Sequence, residues 1–136
     1  MKQKSQEDYL RAMYLIYEKQ IDNSLGIKSI NISKELKVSK PSVSEMLRKL
    51  AKMGFIRSRP YSNIFLTGRG LKEAKKITHN HRVIEVFLSN VLKYNLRGVH
   101  EEAHKLEHAF SEESIKRLDK FLKNPKVCPH GERIHK

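Results

Sequence analysis

The stretch "SKPSVSEMLRKLAKMG" (residues 39–54) decides the fold of this chain when it is taken with "INISKELKV" (residues 30–38) just before it. Apolar residues recur in both stretches at spacings of three and four, which indicates two short amphipathic helices. Ser39 is suited to cap the second helix, Pro41 to stand in its first turn and Gly54 to end it. Two helices joined so closely predict a helix-turn-helix.

A β-hairpin is expected directly after this motif. The apolar-rich runs "FIRSRP" (residues 55–60) and "NIFLT" (residues 63–67) enclose Tyr61 and Ser62, and Pro60 and Asn63 on either side are turn-forming residues. A helix-turn-helix followed by a hairpin is a winged helix, so the sequence predicts that architecture for its first half.

Helical periodicity dominates the rest of the chain. Further helices are predicted over residues 5–19, 67–93, 97–110 and 111–122. The expected fold class is therefore mainly α. An N-terminal winged helix-turn-helix with a small β-hairpin wing (residues 1–70) is followed by a C-terminal helical domain (residues 71–136).

Composition narrows the class of protein. A chain of 136 residues holds one domain or two small ones, and its 28 Lys and Arg against 15 Asp and Glu give a formal net charge of +13. An anionic partner such as nucleic acid or a membrane surface is therefore expected. Cys128 is the only cysteine, which excludes an intramolecular disulfide framework, and no apolar run reaches the roughly 18 residues of a membrane span. We expect a soluble, cytoplasmic protein with no membrane segment.

The winged helix offers a basic surface for double-stranded DNA. Residues 1–70 carry 14 basic and 6 acidic side chains, and in this motif the N-terminal end of the second helix enters the major groove. Small hydroxyl side chains dominate there, so we expect modest direct base discrimination and some reliance on DNA shape. The alternative is that these charges are only a solvated surface. The candidate DNA-binding residues are Ser39, Lys40, Pro41, Ser42 and Ser44 at the helix end, Lys49 and Lys52 further along it, and Arg57 and Arg59 on the wing.

A cluster of metal-ligand side chains is predicted in the second half. The stretch "GVHEEAHKLEHAF" (residues 98–110) contains the pattern HExxH and continues with Glu107 and His108. At about 100° per residue, its ligand side chains project into one sector of a helix. The candidate ligands are His100, His104, Glu107 and His108 on this helix, and His81 and Glu85, four residues apart on the helix before it.

The cluster could belong to a zinc hydrolase or could hold a metal for another purpose. A zinc hydrolase needs both His of HExxH as ligands, Glu101 as general base and a third ligand, but the pattern HExxHxxGxxH has Gly and His where this chain has Glu107 and Phe110. His108 would have no role in such an enzyme, so the sequence favours a metal site with another purpose. A winged-helix regulator of organic ligands and a constitutive architectural DNA binder are further alternatives, although neither needs the cluster.

Several stretches, in order along the chain, resemble the DtxR/MntR family of metal-dependent transcriptional repressors. "EDYLRAMYLIYEK" is similar to the family's first helix, "SKPSVSEMLRKLAKMGFI" to its recognition helix and wing entry, and "LTGRG" to the exit from the wing. "HRVIEVFL" and "VHEEAHKLEH" resemble its metal-binding helices, and "CPHG" (residues 128–131) is also typical of the family. The resemblance covers nearly the whole chain.

The resemblance implies a repressor, not an enzyme, in which a bound divalent ion fixes the winged helix in an orientation competent for operator DNA. It also assigns residues 71–136 to metal binding and dimerisation. The implied activating site consists of Asp8, His104, Glu107 and His108; the ancillary site consists of His81, Glu85 and His100, to which Cys128 and His130 are added in some relatives.

A homodimer is expected on two grounds. The family binds palindromic operators as dimers, and the long helix carries more apolar surface than one partner helix needs. The apolar residues of this helix are Val83, Ile84, Phe87, Leu88, Val91 and Leu92, and we interpret the excess among them as the dimer interface.

The expected cofactor is a divalent transition metal, Mn²⁺ or Fe²⁺, with Zn²⁺, Co²⁺ and Ni²⁺ as alternatives. Asp8 stands where iron-type members have Met, and a hard oxygen ligand favours manganese. Manganese-type members, however, have Glu where this chain has Arg11 and a carboxylate where it has His104, so the set is richer in nitrogen. We expect a short form of the family, without the SH3-like domain of longer relatives.

Overall fold

The computed structural model describes residues 4–58 and 62–135. Within these ranges the chain divides into two compact units, residues 1–75 and 76–136, and the predicted mainly helical class with a small hairpin is confirmed. The elements are α1 (Gln6–Lys19), a single 3-10 turn (Asn23–Leu25), α2 (Ser29–Leu36), α3 (Lys40–Lys52), β1 (Ile56–Arg57), β2 (Phe65–Leu66), α4 (Gly68–Asn90), α5 (Leu96–Glu107) and α6 (Glu112–Phe121).

Helix α1 begins with a reciprocal cap. The Asp8 backbone N–H donates to Ser5 Oγ at 3.2 Å, and the Ser5 N–H donates to Asp8 Oδ2 at 2.8 Å. These two bonds provide acceptors for backbone N–H groups that have no partner within the helix at its N-terminus. Asp8 therefore has a structural task in α1 in addition to any role as a ligand.

The predicted helix-turn-helix is formed by α2 and α3. Lys37 adopts a left-handed backbone (φ 56°) in the connection, and Ser33 Oγ donates to the Val38 carbonyl at 2.6 Å. Ser39 then caps α3 by accepting from the Ser42 N–H at 3.2 Å. The buried faces carry Ile32 from α2, and Val43, Leu47 and Leu50 from α3.

The predicted wing is confirmed as the antiparallel pair β1 and β2, in which Ile56 is opposite Leu66 and Arg57 is opposite Phe65. Ile27 adds a bridge to Ile64, with N···O distances of 2.7 and 2.8 Å.

Helix α4 starts where β2 ends, and Thr67 caps it. Thr67 Oγ1 accepts from the Gly70 N–H at 3.0 Å and donates to the Gly54 carbonyl at 2.7 Å. Gly70 lies so close to the backbone of Phe55 that a Cβ atom there would be 1.8 Å from the Phe55 carbonyl oxygen. The start of α4 is therefore locked onto the chain that leads into β1.

The second unit packs α5 and α6 against α4. Ile84 and Leu88 of α4 meet Val99 and Ala103 of α5 and Ile115 of α6 in one buried cluster. Among the described residues, no helix is long and apolar enough to cross a membrane.

Two predicted helix ends were wrong. Helix α4 ends at Asn90 rather than Lys93, because Lys93 turns into the left-handed region (φ 63°). Helix α5 is capped at Asn95, whose side chain accepts from the Gly98 N–H at 2.9 Å, and it ends at Glu107 rather than Phe110.

Part of the predicted dimer surface lies inside the chain. Val83, Ile84 and Leu88 are buried within the single chain, to 1% exposure or less, and Phe87 packs against the same core. The core of one chain therefore accounts for Val83, Ile84 and Leu88, and the excess predicted for a dimer interface does not include these three residues. The exposed apolar residues at the end of α4 and just beyond it are Val91, Leu92, Tyr94 and Leu96.

A short hairpin follows α6; we call residues 126–135 the C-terminal arm. Val127 pairs with Arg133, and the Cys128 N–H donates to the Glu132 carbonyl at 2.8 Å. The Gly131 N–H closes the turn on the Cys128 carbonyl at 2.9 Å, and Gly131 has a φ of 86°, which favours glycine. The CPHG stretch is thus the turn of this hairpin, which the sequence analysis did not predict.

Candidate metal centres and nucleic-acid interface

Glu85 is the centre of one ligand cluster. Its side chain is 3% exposed, and Oε2 faces three imidazole nitrogens: His81 Nε2 at 3.5 Å, His100 Nδ1 at 3.6 Å and His130 Nδ1 at 3.3 Å. Among the described residues, no donor makes a hydrogen bond to this oxygen. A buried carboxylate oxygen that lacks a hydrogen bond and has several potential ligands around it fits a bound cation.

The helix packing explains how these side chains meet. His81 and Glu85 are one turn apart on α4, so both lie on the same side of that helix. Val99 and Ala103 of α5 are buried in the core cluster, and this packing brings His100, the neighbour of Val99, close to His81 and Glu85. The hydrophobic core thus sets the spacing of the polar cluster.

The pKa of the Glu85 carboxyl group suits this side chain to bind a cation. Burial by itself raises the pKa of the Glu85 carboxyl, but the imidazoles of His100, His81 and His130 outweigh burial and lower the pKa to about 2. The carboxylate is therefore ionised throughout the neutral range and presents a negative charge to a cation.

Two further candidate metal ligands, both from the C-terminal arm, lie beside the same carboxylate. Ligand atoms of Glu85, Cys128 and His130 all lie within 4.8 Å of one another, as do those of His81, Glu85 and His100. Cys128 is buried, with 4% exposure. The structure thus brings together the three residues predicted for the ancillary site, and places the pair from the CPHG turn beside them.

A second cluster lies at the end of α5. Ligand atoms of His104, Glu107 and His108 lie within 4.8 Å of one another, and His108 Nε2 is 3.6 Å from Glu107 Oε1. His108 follows the last residue of α5 but keeps a helical backbone, with φ −80° and ψ −15°, so its side chain continues the line of the helix. Asp8, the fourth residue of the predicted activating set, is buried in the first compact unit.

One hydrogen bond joins the two clusters. His81 Nδ1 donates to Glu107 Oε2, 2.8 Å away, since a carboxylate oxygen accepts. With Nδ1 bonded to Glu107, the other ring nitrogen, Nε2, faces Glu85 and His100. A histidine oriented by a carboxylate at one ring nitrogen is a common arrangement for a metal ligand.

The HExxH pattern is divided between the two clusters. His100 faces His81 and Glu85, whereas His104 groups with Glu107 and His108. Glu101, the residue that would be a catalytic base, is exposed. In a zinc hydrolase both histidines bind the same ion, so this arrangement does not match that pattern.

The candidate DNA-binding residues lie on exposed positions of α3 and the wing. Lys49 is 4.0 Å from Glu45 in a solvent-exposed pair, which is a weak restraint. Arg48 is also exposed and lies four residues after Ser44, so it shares that side of α3; the i+4 spacing could have revealed it in the sequence. The exposed candidates are Ser39, Lys40, Pro41, Ser42, Ser44, Lys49, Lys52 and Arg57, whereas Arg59 lies outside the described residues.

Family comparisons match both halves of the chain. Residues 1–64 match the iron dependent repressor N-terminal DNA binding domain. Residues 67–136 match the iron dependent repressor metal binding and dimerisation domain.

Individual relatives agree with these matches. The chain is 39% identical to an uncharacterized HTH-type transcriptional regulator of Methanocaldococcus jannaschii, over 85% of this chain and 90% of that protein. It is 32% identical to the iron-dependent repressor IdeR of Mycobacterium leprae, over 94% of this chain and 54% of that protein. The solved structure of the manganese regulator SloR has a TM-score of 0.85 and 39% identity, over 99% of this chain and 61% of that one. The chain therefore spans little more than half of IdeR and about three fifths of SloR.

Proposed function

Because the chain belongs to the iron-dependent repressor (DtxR/MntR) family, we propose that it represses transcription by binding operator DNA as a homodimer when it is loaded with a divalent transition metal. The observation that carries the proposal is the buried Glu85 carboxylate, which faces three imidazole nitrogens. The family consists of transcriptional repressors, which are not enzymes. Membership of this family therefore argues against the hydrolase alternative.

The activating site of this proposal contains Asp8, His104, Glu107 and His108. The grouping of the last three in the second unit supports it, and Asp8 is assigned by the family resemblance. A divalent ion supplies the positive charge that allows the carboxylates of Asp8 and Glu107 to share one site. Because Asp8 belongs to the DNA-binding half and the other three to the helical half, occupancy would select the winged-helix orientation that binds DNA.

The ancillary site of this proposal contains His81, Glu85 and His100, with Cys128 and His130 from the C-terminal arm. The short distances around Glu85 support this assignment. Its donors are imidazoles, a carboxylate and a thiol, a set that accepts softer ions than carboxylates alone.

The proposed metal is Mn²⁺ or Fe²⁺, with Zn²⁺, Co²⁺ and Ni²⁺ as alternatives. The relative IdeR is named as an iron-dependent repressor and SloR as a manganese regulator, and both metals suit two imidazoles with two carboxylates. A regulator of chromosomal operators acts in the cytoplasm, where we place this protein.

Titration of DNA binding with each divalent ion tests the proposal. In a gel-shift assay with promoter DNA, we expect Mn²⁺ or Fe²⁺ to raise the affinity by at least about 10-fold over protein in EDTA, within the usual range of allosteric coupling. Scrambled DNA of equal length is the control. Binding that is the same with EDTA and with every ion would contradict the proposal and indicate a constitutive binder or a regulator of another ligand.

A second prediction concerns phosphate contacts by α3. Replacing Arg48 or Lys52 by Ala is expected to reduce the slope of log affinity against log salt by about 1 per residue, because each phosphate contact releases counterions. The metal affinity should stay at the parental value. The control is Lys105→Ala, which removes an exposed lysine of α5. An unchanged slope in both α3 variants would show that this side of α3 does not face DNA.

A further inference from the structure

The C-terminal arm is attached by polar contacts rather than by a hydrophobic core. Within residues 126–135, Cys128 is buried and every other residue is exposed or half-buried. A hairpin of this size with so little buried apolar surface has no independent stability. Its position must therefore depend on specific bonds to the rest of the second unit.

His79 of α4 makes the first of these attachments. Its Nδ1 donates to the His135 carbonyl oxygen at 2.5 Å, and its Nε2 donates to Asp119 Oδ2 of α6 at 2.7 Å. Both partners are hydrogen-bond acceptors, so the His79 ring lies between a backbone carbonyl of the arm and a carboxylate of α6. The side chains of His79 and Asp119 are 14% and 16% exposed, which limits solvent screening. One ring thus ties the end of the arm to two helices.

Arg82, one turn further along α4, makes the second attachment. Its Nη1 donates to the Arg133 carbonyl oxygen at 2.6 Å, and its Nη2 is 3.9 Å from Glu132 Oε2. The Arg82 side chain is 4% exposed. The guanidinium therefore holds the returning strand of the arm, directly after the turn that contains Cys128 and His130.

We propose that His79, Asp119 and Arg82 are positioning residues for the ancillary metal site, because they hold the arm so that Cys128 and His130 face Glu85. None of the three is a ligand itself. The inference rests on the proposed function, since it concerns that site. It predicts that the thiolate and the imidazole of the arm bind the metal together with Glu85 only while the arm is attached.

Cobalt spectroscopy of the full chain tests this inference, because Co²⁺ bound by a thiolate gives a ligand-to-metal charge-transfer band in the near ultraviolet. The parent protein is expected to show this band on titration with Co²⁺. Asp119→Ala should weaken the Co²⁺ affinity linked to the band by about 10- to 100-fold, the usual loss for a partner outside the ligand shell. Asp119→Glu should restore part of the affinity.

A matched control is available on the same helix. Glu113 of α6 is exposed and pairs with the exposed Arg117 at 2.9 Å, so Glu113→Ala should keep the parental band and affinity. If Asp119→Ala does not fold by circular dichroism, Asp119→Asn keeps the shape and removes the charge, and a smaller loss in the same direction is expected.

The outcomes separate the two proposals. A parent protein that binds no divalent ion would overturn the proposed function itself. A parent that binds Co²⁺ without a thiolate band, or a folded Asp119 variant with the parental band and affinity, would overturn the positioning role alone.

Discussion

Replacing Asp8 by Asn is expected to abolish metal-stimulated DNA binding and to leave the fold intact. The substitution removes the negative charge from the proposed activating site but keeps an oxygen that can accept from the Ser5 N–H, now at 2.8 Å. Asp8→Ala would also remove this cap of α1, at a cost of about 1 kcal/mol, so a loss of function there would be ambiguous. Asn separates the two tasks of this side chain.

The measurement is the Mn²⁺ concentration that gives half-maximal DNA binding. Partners outside the ligand shell typically change metal affinity by about 10- to 100-fold, so loss of a direct ligand should raise this concentration by at least about 100-fold. His108→Ala should have the same effect from the other compact unit. Glu7→Gln is the matched control, because Glu7 is an exposed acid in the same turn of α1. If Asp8→Asn responds to Mn²⁺ like Glu7→Gln, the activating site is wrongly assigned.

Replacing Gly70 by Ala is expected to destabilise the first compact unit by about 3 kcal/mol, at the upper end of the usual cost of overpacking. A Cβ atom at this position would lie 1.8 Å from the Phe55 carbonyl oxygen. That oxygen already accepts from the Thr67 N–H at 3.0 Å, so it cannot move away without loss of this bond. The start of α4 would have to separate from Phe55.

Gly68→Ala is the internal control for this experiment. Gly68 stands in the first turn of the same helix, and a Cβ atom there would meet nothing within 4 Å. It should unfold at the parental urea concentration or slightly above it, because alanine favours the helix by about 0.5 to 1 kcal/mol. Equal midpoints for the two variants would rule out the close approach of α4 to Phe55.

Local signals made most of the fold predictable. Ser39 was recognisable as a cap because a cap depends on residues only three positions away, and it accepts from a backbone N–H as expected. The ends of α4 and α5 were not predictable, because the residues after them remain compatible with a helix. The C-terminal arm was missed because its attachments, such as His79 to Asp119, join residues 40 positions apart.

The candidate site was predictable only as far as single helices determine it. The i, i+4 spacing placed His81 beside Glu85, and their side chains do approach each other. The same reasoning placed His100 with His104, but the packing of α5 on α4 directs them to different clusters. Which ligand meets which partner is a tertiary property, so one helix could not reveal it.

In the proposed function, the hydrogen bond from His81 to Glu107 couples the two metal sites. Any cation that engages His81 Nε2 fixes the ring whose opposite nitrogen holds the Glu107 carboxylate, and by linkage any cation that engages Glu107 acts back on His81 with the same free energy. An affinity measured at one cluster is therefore conditional on the state of the other. We therefore expect a dose–response curve recorded with one ion to shift when a different ion already occupies the other proposed site.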